Sequence, residues 1–289
     1  MHYQDWLIID ALYKNRNITK TAEELYVSQP ALTSRIKKIE EFYNTPLITR
    51  NNRGVHFTME GELLAVKAKE MIRNYAEIQS ELDNLKENVT GTLRIGVSNF
   101  IAKYKIPKIL KMFKELFPLI ECYVVTGWSK DIHKMVNNKD IHFGFIRGSY
   151  PWNGEKKLLF EENICVAADF DFNWEDLPSL PRIDYGTDHI LRPVIEEWWR
   201  ENYKQPSYVG IHVDHVDTCK EMIVNGLGYG IVPTLILKDY PHINKKVIID
   251  HKGNPLKRKT WLYYNNDDMH LRVCKEFKKF ILNLDIGKL

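Results

Sequence analysis

In "VSQPALTSRIKKIE" an amide, two hydroxyls and a guanidinium fall within two helical turns: Gln29, Thr33, Ser34 and Arg35. Amide and guanidinium groups suit base edges and phosphates, and hydroxyls suit phosphates. That chemistry needs a helix with one anchored face and one free face. Ser28 is a good N-cap, because its hydroxyl can accept from a free first-turn amide. Pro30 falls in the first turn, where its missing N–H costs nothing and its fixed φ suits a helix start. Leu32, Ile36, Ile39 and Phe42 recur at spacings of four, three and three and predict a core-facing stripe. Upstream, Asn17 to Tyr26 predicts a shorter helix with Ala22 and Leu25 inward, and "YVS" is the turn. Short helix, tight turn and second helix make a helix-turn-helix arrangement. In "PLITRNNRGVHFT", Leu47–Thr49 predicts a strand, Asn51–Gly54 a turn and Val55–Thr58 a return strand, with Arg50 and Arg53 at the tip. Such a wing is a second nucleic-acid contact. The rival reading is a merely solvated charged face, and the helix pair alone does not separate the two.

Trp6 to Leu64 resembles the winged helix-turn-helix of LysR-type transcriptional regulators. The matching residues are "TKTAEELYVSQPALTSRIKKIE", "PLITR" and "FTMEG", including Ala22, Leu25, Ser28-Gln29-Pro30-Ala31, Arg35, Ile39-Glu40, Thr58 and Gly61. Ile48 stands where the family often has Phe. The resemblance implies that Gln29, Pro30, Thr33 and Arg35 face the major groove of double-stranded promoter DNA. It makes Arg50 and Arg53 the wing contacts.

The chain has 289 residues, 44% hydrophobic and 27% charged, an ordinary composition with room for two domains. Formal net charge is +3, so any basic patch must be local. The N-terminus has no basic run before an apolar one, and no segment approaches the roughly 20 apolar residues of a membrane span. These features predict a cytoplasmic protein without membrane contact. Cys122, Cys165, Cys219 and Cys274 form no CxxC pair and are expected as reduced, buried thiols.

From the N-cap candidate Thr58 to about Glu87 the only glycine is Gly61. Leu64, Ala68, Met71, Tyr75, Ile78, Leu82 and Leu85 alternate steps of four and three. That narrow heptad seam predicts a homodimer through residues 59–88, in keeping with two-site DNA readers. A homotetramer is implied by the resemblance. Asn88-Val89-Thr90-Gly91 reads as a hinge.

Beyond Thr92, short apolar strands alternate with helices, which predicts α/β with a largely parallel sheet in two lobes. Ligands in such sheets sit beyond strand carboxyl ends at helix N-termini. Those ends are Ser98-Asn99, Trp128-Ser129 and Arg147, and Arg147 could pair with a carboxylate. "LRIGVSNF" and "VNGLGYGIVP" resemble landmarks of the LysR-type effector domain, which has a periplasmic-binding-protein fold. His142 replaces the aspartate common in the family and is read as structural. "VDHVDTCKEMIVNGLGYGIVP", "IRG" and "NPLKRKTWLYYN" resemble a Gram-positive subgroup that includes a citrate-sensing catabolite regulator. On that comparison Ser98, Arg147 and Arg258 match positions that hold a tricarboxylate. His212, Asp214, His215 and Asp217 in "HVDHVD" do not share a strand face, so no metal site is assigned. "GLGYG" follows a helix and precedes a strand, the wrong order for a dinucleotide loop. Peroxide-sensing members of the family this chain resembles place two cysteines in the first part of the second lobe; between Ala167 and Thr218 there is none, so that redox switch is not expected.

The expected fold class is α+β multi-domain. Residues 1–58 form a winged helix-turn-helix, 59–88 a dimerisation helix and 89–289 a two-lobed effector domain. Lobe I spans about 91–163 and 267–289, and lobe II about 164–266. The expected function is a transcriptional regulator sensing a small anionic effector, with no catalytic residue and no cofactor. The alternative is a solute-binding protein or small-molecule enzyme with an N-terminal interaction module.

Overall fold

The computed structural model describes residues 1–51, 54–84 and 88–289. They belong to two compact units, Met1–Glu87 and Asn88–Leu289.

In the first unit, α1 (Tyr3–Asn15), α2 (Ile18–Glu24) and α3 (Gln29–Tyr43) bury Ile8, Ile9, Leu12, Ala22, Leu32, Ile36 and Ile39 in one core. The caps fall where side-chain oxygens can reach free amides: Asn17 accepts from the Lys20 amide at 3.0 Å, and Ser28 from that of Ala31 at 3.3 Å. Phe42 departs from the expected stripe and is 63% exposed. At 3.6 residues per turn it lies about 80° from Leu32, whereas Tyr43 lies within about 20°. Tyr43 is 37% exposed as well, so the buried stripe ends at Ile39.

The wing pairs β1 (Ile48–Asn51) with β2 (Gly54–Phe57) antiparallel, Arg50 opposite Val55. Arg53 and Leu85, both singled out above, lie outside the described residues. Arg16, just past α1, holds the wing to its neighbours. Its carbonyl accepts from the Val55 amide at 3.0 Å, and its guanidinium sits 4.0 Å above Tyr13 and 4.7 Å from Phe57. It also pairs at 3.2 Å with Glu62 of α4 (Met59–Asn84). Thr58 caps α4, accepting from the Gly61 amide at 3.0 Å. A Cβ on Gly61 would lie 2.0 Å from the Leu47 carbonyl oxygen, so only glycine lets α4 approach the wing this closely. Of the α4 seam, Ala68 is buried, Leu64 is half-buried, and Met71, Tyr75, Ile78 and Leu82 are 44–55% exposed. Tyr75 stacks on Tyr3 of α1 at 4.2 Å.

The second unit opens with β3 (Gly91–Ser98), α5 (Asn99–Tyr104), α6 (Ile106–Leu116), β4 (Ile120–Gly127), α7 (Ser129–Asn137) and β5 (Phe143–Arg147). Here β3 runs parallel to both β4 and β5. The 14-residue β6 (Glu155–Ala168) then leaves this lobe for the next. That lobe holds β7 (Arg182–Tyr185), α8 (Leu191–Asn202), β8 (Val209–Val213), α9 (Val216–Val224), β9 (Gly230–Pro233) and β10 (Asn244–Val247). The chain returns along β11 (Lys257–Tyr264) and ends with α10 (Arg272–Leu282), which buries Val273, Phe277 and Ile281. β11 is antiparallel to β5 and β6, and β6 is antiparallel to β9 and β10. The expected largely parallel sheet is thus corrected to a mixed one: each lobe keeps parallel strands, and long antiparallel strands join the lobes. Tight amide–carbonyl bonds between Ile183, Tyr229 and Pro181 set β7 beside β9.

His142, the residue before β5, is 3% exposed, and its Nδ1 accepts from the Arg94 amide of β3 at 3.2 Å. Burial, reinforced by Arg94 and His270, pushes its pKa down to about 3, so the ring is neutral. Cys165, Cys219 and Cys274 are buried free thiols, and burial pushes Cys165 and Cys219 up to about 12. Among the described residues no helix is long and apolar enough to cross a membrane.

Candidate functional site

At the start of α3, Gln29 and Pro30 are exposed, and one turn on Thr33 is half-buried with its hydroxyl unbonded among the described residues. Arg35 is engaged elsewhere. Its Nη2 donates to Asp5 Oδ2 at 2.8 Å and its Nε to Oδ1 at 2.5 Å, while Asp5 is 1% exposed. Burial pushes the Asp5 carboxyl up, but the bonds from Arg35 and the His2 amide outweigh it and hold the pKa below the ordinary value. The Arg35 fork thus closes on a buried carboxylate of α1, while its side chain stays 36% exposed.

The six expected ligand residues come together in the second unit. Ser98 ends β3, Asn99 opens α5, Trp128 and Ser129 open α7, Arg147 ends β5 and Arg258 lies on β11. All line one cavity of about 80 Å³ beyond the carboxyl ends of parallel strands. The facing lobe adds Tyr185, Thr187, Asp188, His215 and Asp217, which were not singled out as ligand residues. The strand before Asp188 is only four residues, "RIDY", so no strand end was apparent there. Its signal was the Gly-Thr-Asp run ahead of "LRPVIEEWW", a helix-start pattern.

Both arginines already hold internal carboxylates. Arg147 Nη2 lies 2.6 Å from Glu162 Oε1, and its guanidinium stacks 3.7 Å from the centre of Phe100. Arg258 pairs with Asp188 Oδ2, while Asp188 Oδ1 accepts from the Ile190 and Leu191 amides at 3.0 Å. Glu162 Oε2 also accepts from the Leu235 amide at 3.2 Å. Still unbonded among the described residues are Ser98 Oγ, Arg147 Nε and Arg258 Nε, each buried. The cleft is closed across its mouth: Asp217 of α9 accepts from Lys103 at 2.8 Å and Tyr104 at 2.5 Å on α5, and Trp128 stacks on His215. A second hollow of about 520 Å³ lies beside α8, where Asp184 is within 3.3 Å of Arg182 and Arg192.

Two family models match. The LysR substrate binding domain covers residues 86–284, and the bacterial regulatory helix-turn-helix protein, lysR family, covers residues 3–62. The chain is 38% identical over 281 residues to the HTH-type transcriptional regulator YraN of Bacillus subtilis, covering 97% of each. It is 30% identical over 286 residues to the HTH-type transcriptional regulator YkuM of the same organism, covering 98% of each. A structure of full-length CbnR complexed with its target DNA shares the fold at a TM-score of 0.67 and 15% identity, over 98% of this chain and 99% of that one. Members of this family are regulators and not enzymes, which sets aside the solute-receptor and enzyme alternatives. With one model matching the helix-turn-helix and another matching most of the second unit, the chain belongs to the LysR family of DNA-binding transcriptional regulators.

Proposed function

We propose that the chain reads promoter DNA as a homodimer, assembling further into a tetramer, and that a small carboxylate in the inter-lobe cavity governs it. Gln29 and Pro30 enter the major groove, with Thr33 one turn further along α3. Arg50 and Arg53 contact phosphate or the minor groove from the wing. Arg35 supports this surface by fixing α3 to α1 and acts through position. The seam from Met71 to Leu82 is the dimer contact, since four large apolar side chains at coiled-coil spacing are left exposed.

For the ligand, the observation that carries the reading is the convergence of three unbonded buried polar atoms, Ser98 Oγ, Arg147 Nε and Arg258 Nε, on one cavity. Buried donors without acceptors are costly unless a ligand supplies them. Asp188 sets the condition: a ligand carboxylate must replace it on Arg258, and the closed cavity must widen. Citrate or a related di- or tricarboxylate is the finer form of this proposal. Titration calorimetry on the full-length protein with citrate, smaller dicarboxylates and an uncharged polyol tests it. Heat from the carboxylates alone is expected, and silence from all of them would remove the anionic class. A gel shift with the intergenic DNA beside its own gene tests the DNA reading. Gln29→Ala should weaken binding about tenfold, and equal affinity would count against it.

A further inference from the structure

Among the described residues, four other than glycine have left-handed backbone, and each follows a helix: Arg16 (φ 51°), Tyr26 (φ 55°), Asn44 (φ 50°) and Lys139 (φ 58°). That conformation disfavours L side chains, and a bulky one most of all. Three of the four have a visible compensation. Arg16 is bonded to Glu62 and stacked on two rings, and Lys139 pairs with Asp267 at 2.5 Å. Asn44 is a residue type that adopts this backbone readily. Tyr26 has none of this.

Tyr26 closes α2 in a two-bond cap, its own amide donating to the Glu23 carbonyl at 3.2 Å and that of Val27 to Ala22 at 3.0 Å. Glycine is the usual occupant of this position. The phenol that stands there instead is 96% exposed. Ser28 and Gln29, the cap and first residue of α3, follow directly and are exposed as well. The ring thus leaves the turn next to the helix start already read as the groove-facing end. An amphipathic side chain held in open solvent, on a backbone that penalises it, serves a surface outside the fold.

We infer that Tyr26 is a DNA contact: its hydroxyl donates to a phosphodiester oxygen flanking the base pairs that α3 reads. This rests on the DNA-binding reading above. The partner is the backbone because a single neutral donor on an exposed ring suits a phosphate oxygen, and tyrosine is one of the side chains that bond phosphates. A neutral donor releases no counterion, so it strengthens binding without altering its salt dependence.

The test uses the full-length protein with a labelled duplex covering the intergenic region beside its gene and a random duplex of equal length. Tyr26→Asn tolerates the same backbone and removes the ring; Tyr26→Phe removes the hydroxyl alone. Both should weaken binding about tenfold on both duplexes, with the slope of affinity against salt unchanged. The thermal midpoint of Tyr26→Asn should stay level or rise by about 2–4 °C. Unchanged affinity in Tyr26→Asn, full affinity in Tyr26→Phe, or a fall in the midpoint would each overturn the inference. If the wild-type protein shifts neither duplex, the DNA reading fails with it. If Gln29→Ala weakens binding while both Tyr26 variants bind normally, this inference fails alone.

Discussion

Asp188 does at the cavity what a ligand would do: it caps the first amides of the helix behind it and neutralises Arg258. Asp188→Asn keeps the shape and removes the competing charge. The variant should bind whichever carboxylate gives heat about tenfold more tightly; calorimetry showing weaker or equal binding would place the ligand elsewhere. His142 makes a separate prediction. Its pKa is about 6.5 in the unfolded chain and about 3 in the fold, so the unfolded state takes up a proton first as pH falls. Its stabilising contribution is complete above about 6.5 and is lost on the way down toward 3. Between pH 7 and 5 this amounts to about 2 kcal/mol. The urea midpoint followed by tryptophan fluorescence should fall accordingly, and fall less in His142→Gln. Arg35→Ala leaves the carboxylate of Asp5 buried without its cation. A drop in thermal midpoint of about 4–8 °C is expected. Ion pairs such as these join residues far apart in the chain. No spacing rule reveals them, which is why the Arg35–Asp5 pair and the part of Asp188 were not legible in the sequence.

At the scale of elements, local chemistry was legible and lateral pairing was not. Ser28 and Pro30 announced where α3 begins, and Thr58 where α4 begins, because a cap acts within three residues. The strand ends carrying Ser98, Trp128 and Arg147 were readable for the same reason: each apolar run stops at a polar residue ahead of a helix or a loop. Direction in the sheet was not readable. An apolar run looks alike in parallel and antiparallel pairing, so β6 and β11 concealed the crossing between lobes. The heptad seam was legible, but its division into a packed start and an exposed remainder needed α1 in view. Ile78→Glu, at a position 55% exposed, should leave the monomer folded and convert dimers to monomers in sedimentation, with DNA affinity reduced at least tenfold. A dimer persisting in that variant would move the interface off this helix.

For the whole molecule, composition gave little direction about DNA. In Met1–Glu87 lysine and arginine do not outnumber aspartate and glutamate, and several cations are spent internally, Arg16 on Glu62 and Arg35 on Asp5. Recognition must then rely on placed groups more than on a broad field. If the wing arginines are the main phosphate partners, a dimer neutralises about four phosphates, and the log–log slope of affinity against salt should be near −4. Anisotropy titrations over a range of sodium chloride concentrations measure this; a slope beyond about −8 would require a wider basic surface.

The tie among Arg16, Glu62, the wing and Gly61 makes the wing and α4 one lever. The exposed seam that would form its fulcrum lies in the far half of a helix of 26 residues, about 39 Å long. From the middle of that seam back to Met59 the arm is about 26 Å, so a change of about 5° in the angle at which two such helices cross displaces the wing by about 2 Å, more than half the rise of one base pair. Register along the DNA would then answer to an angle between helices, at a distance from any base.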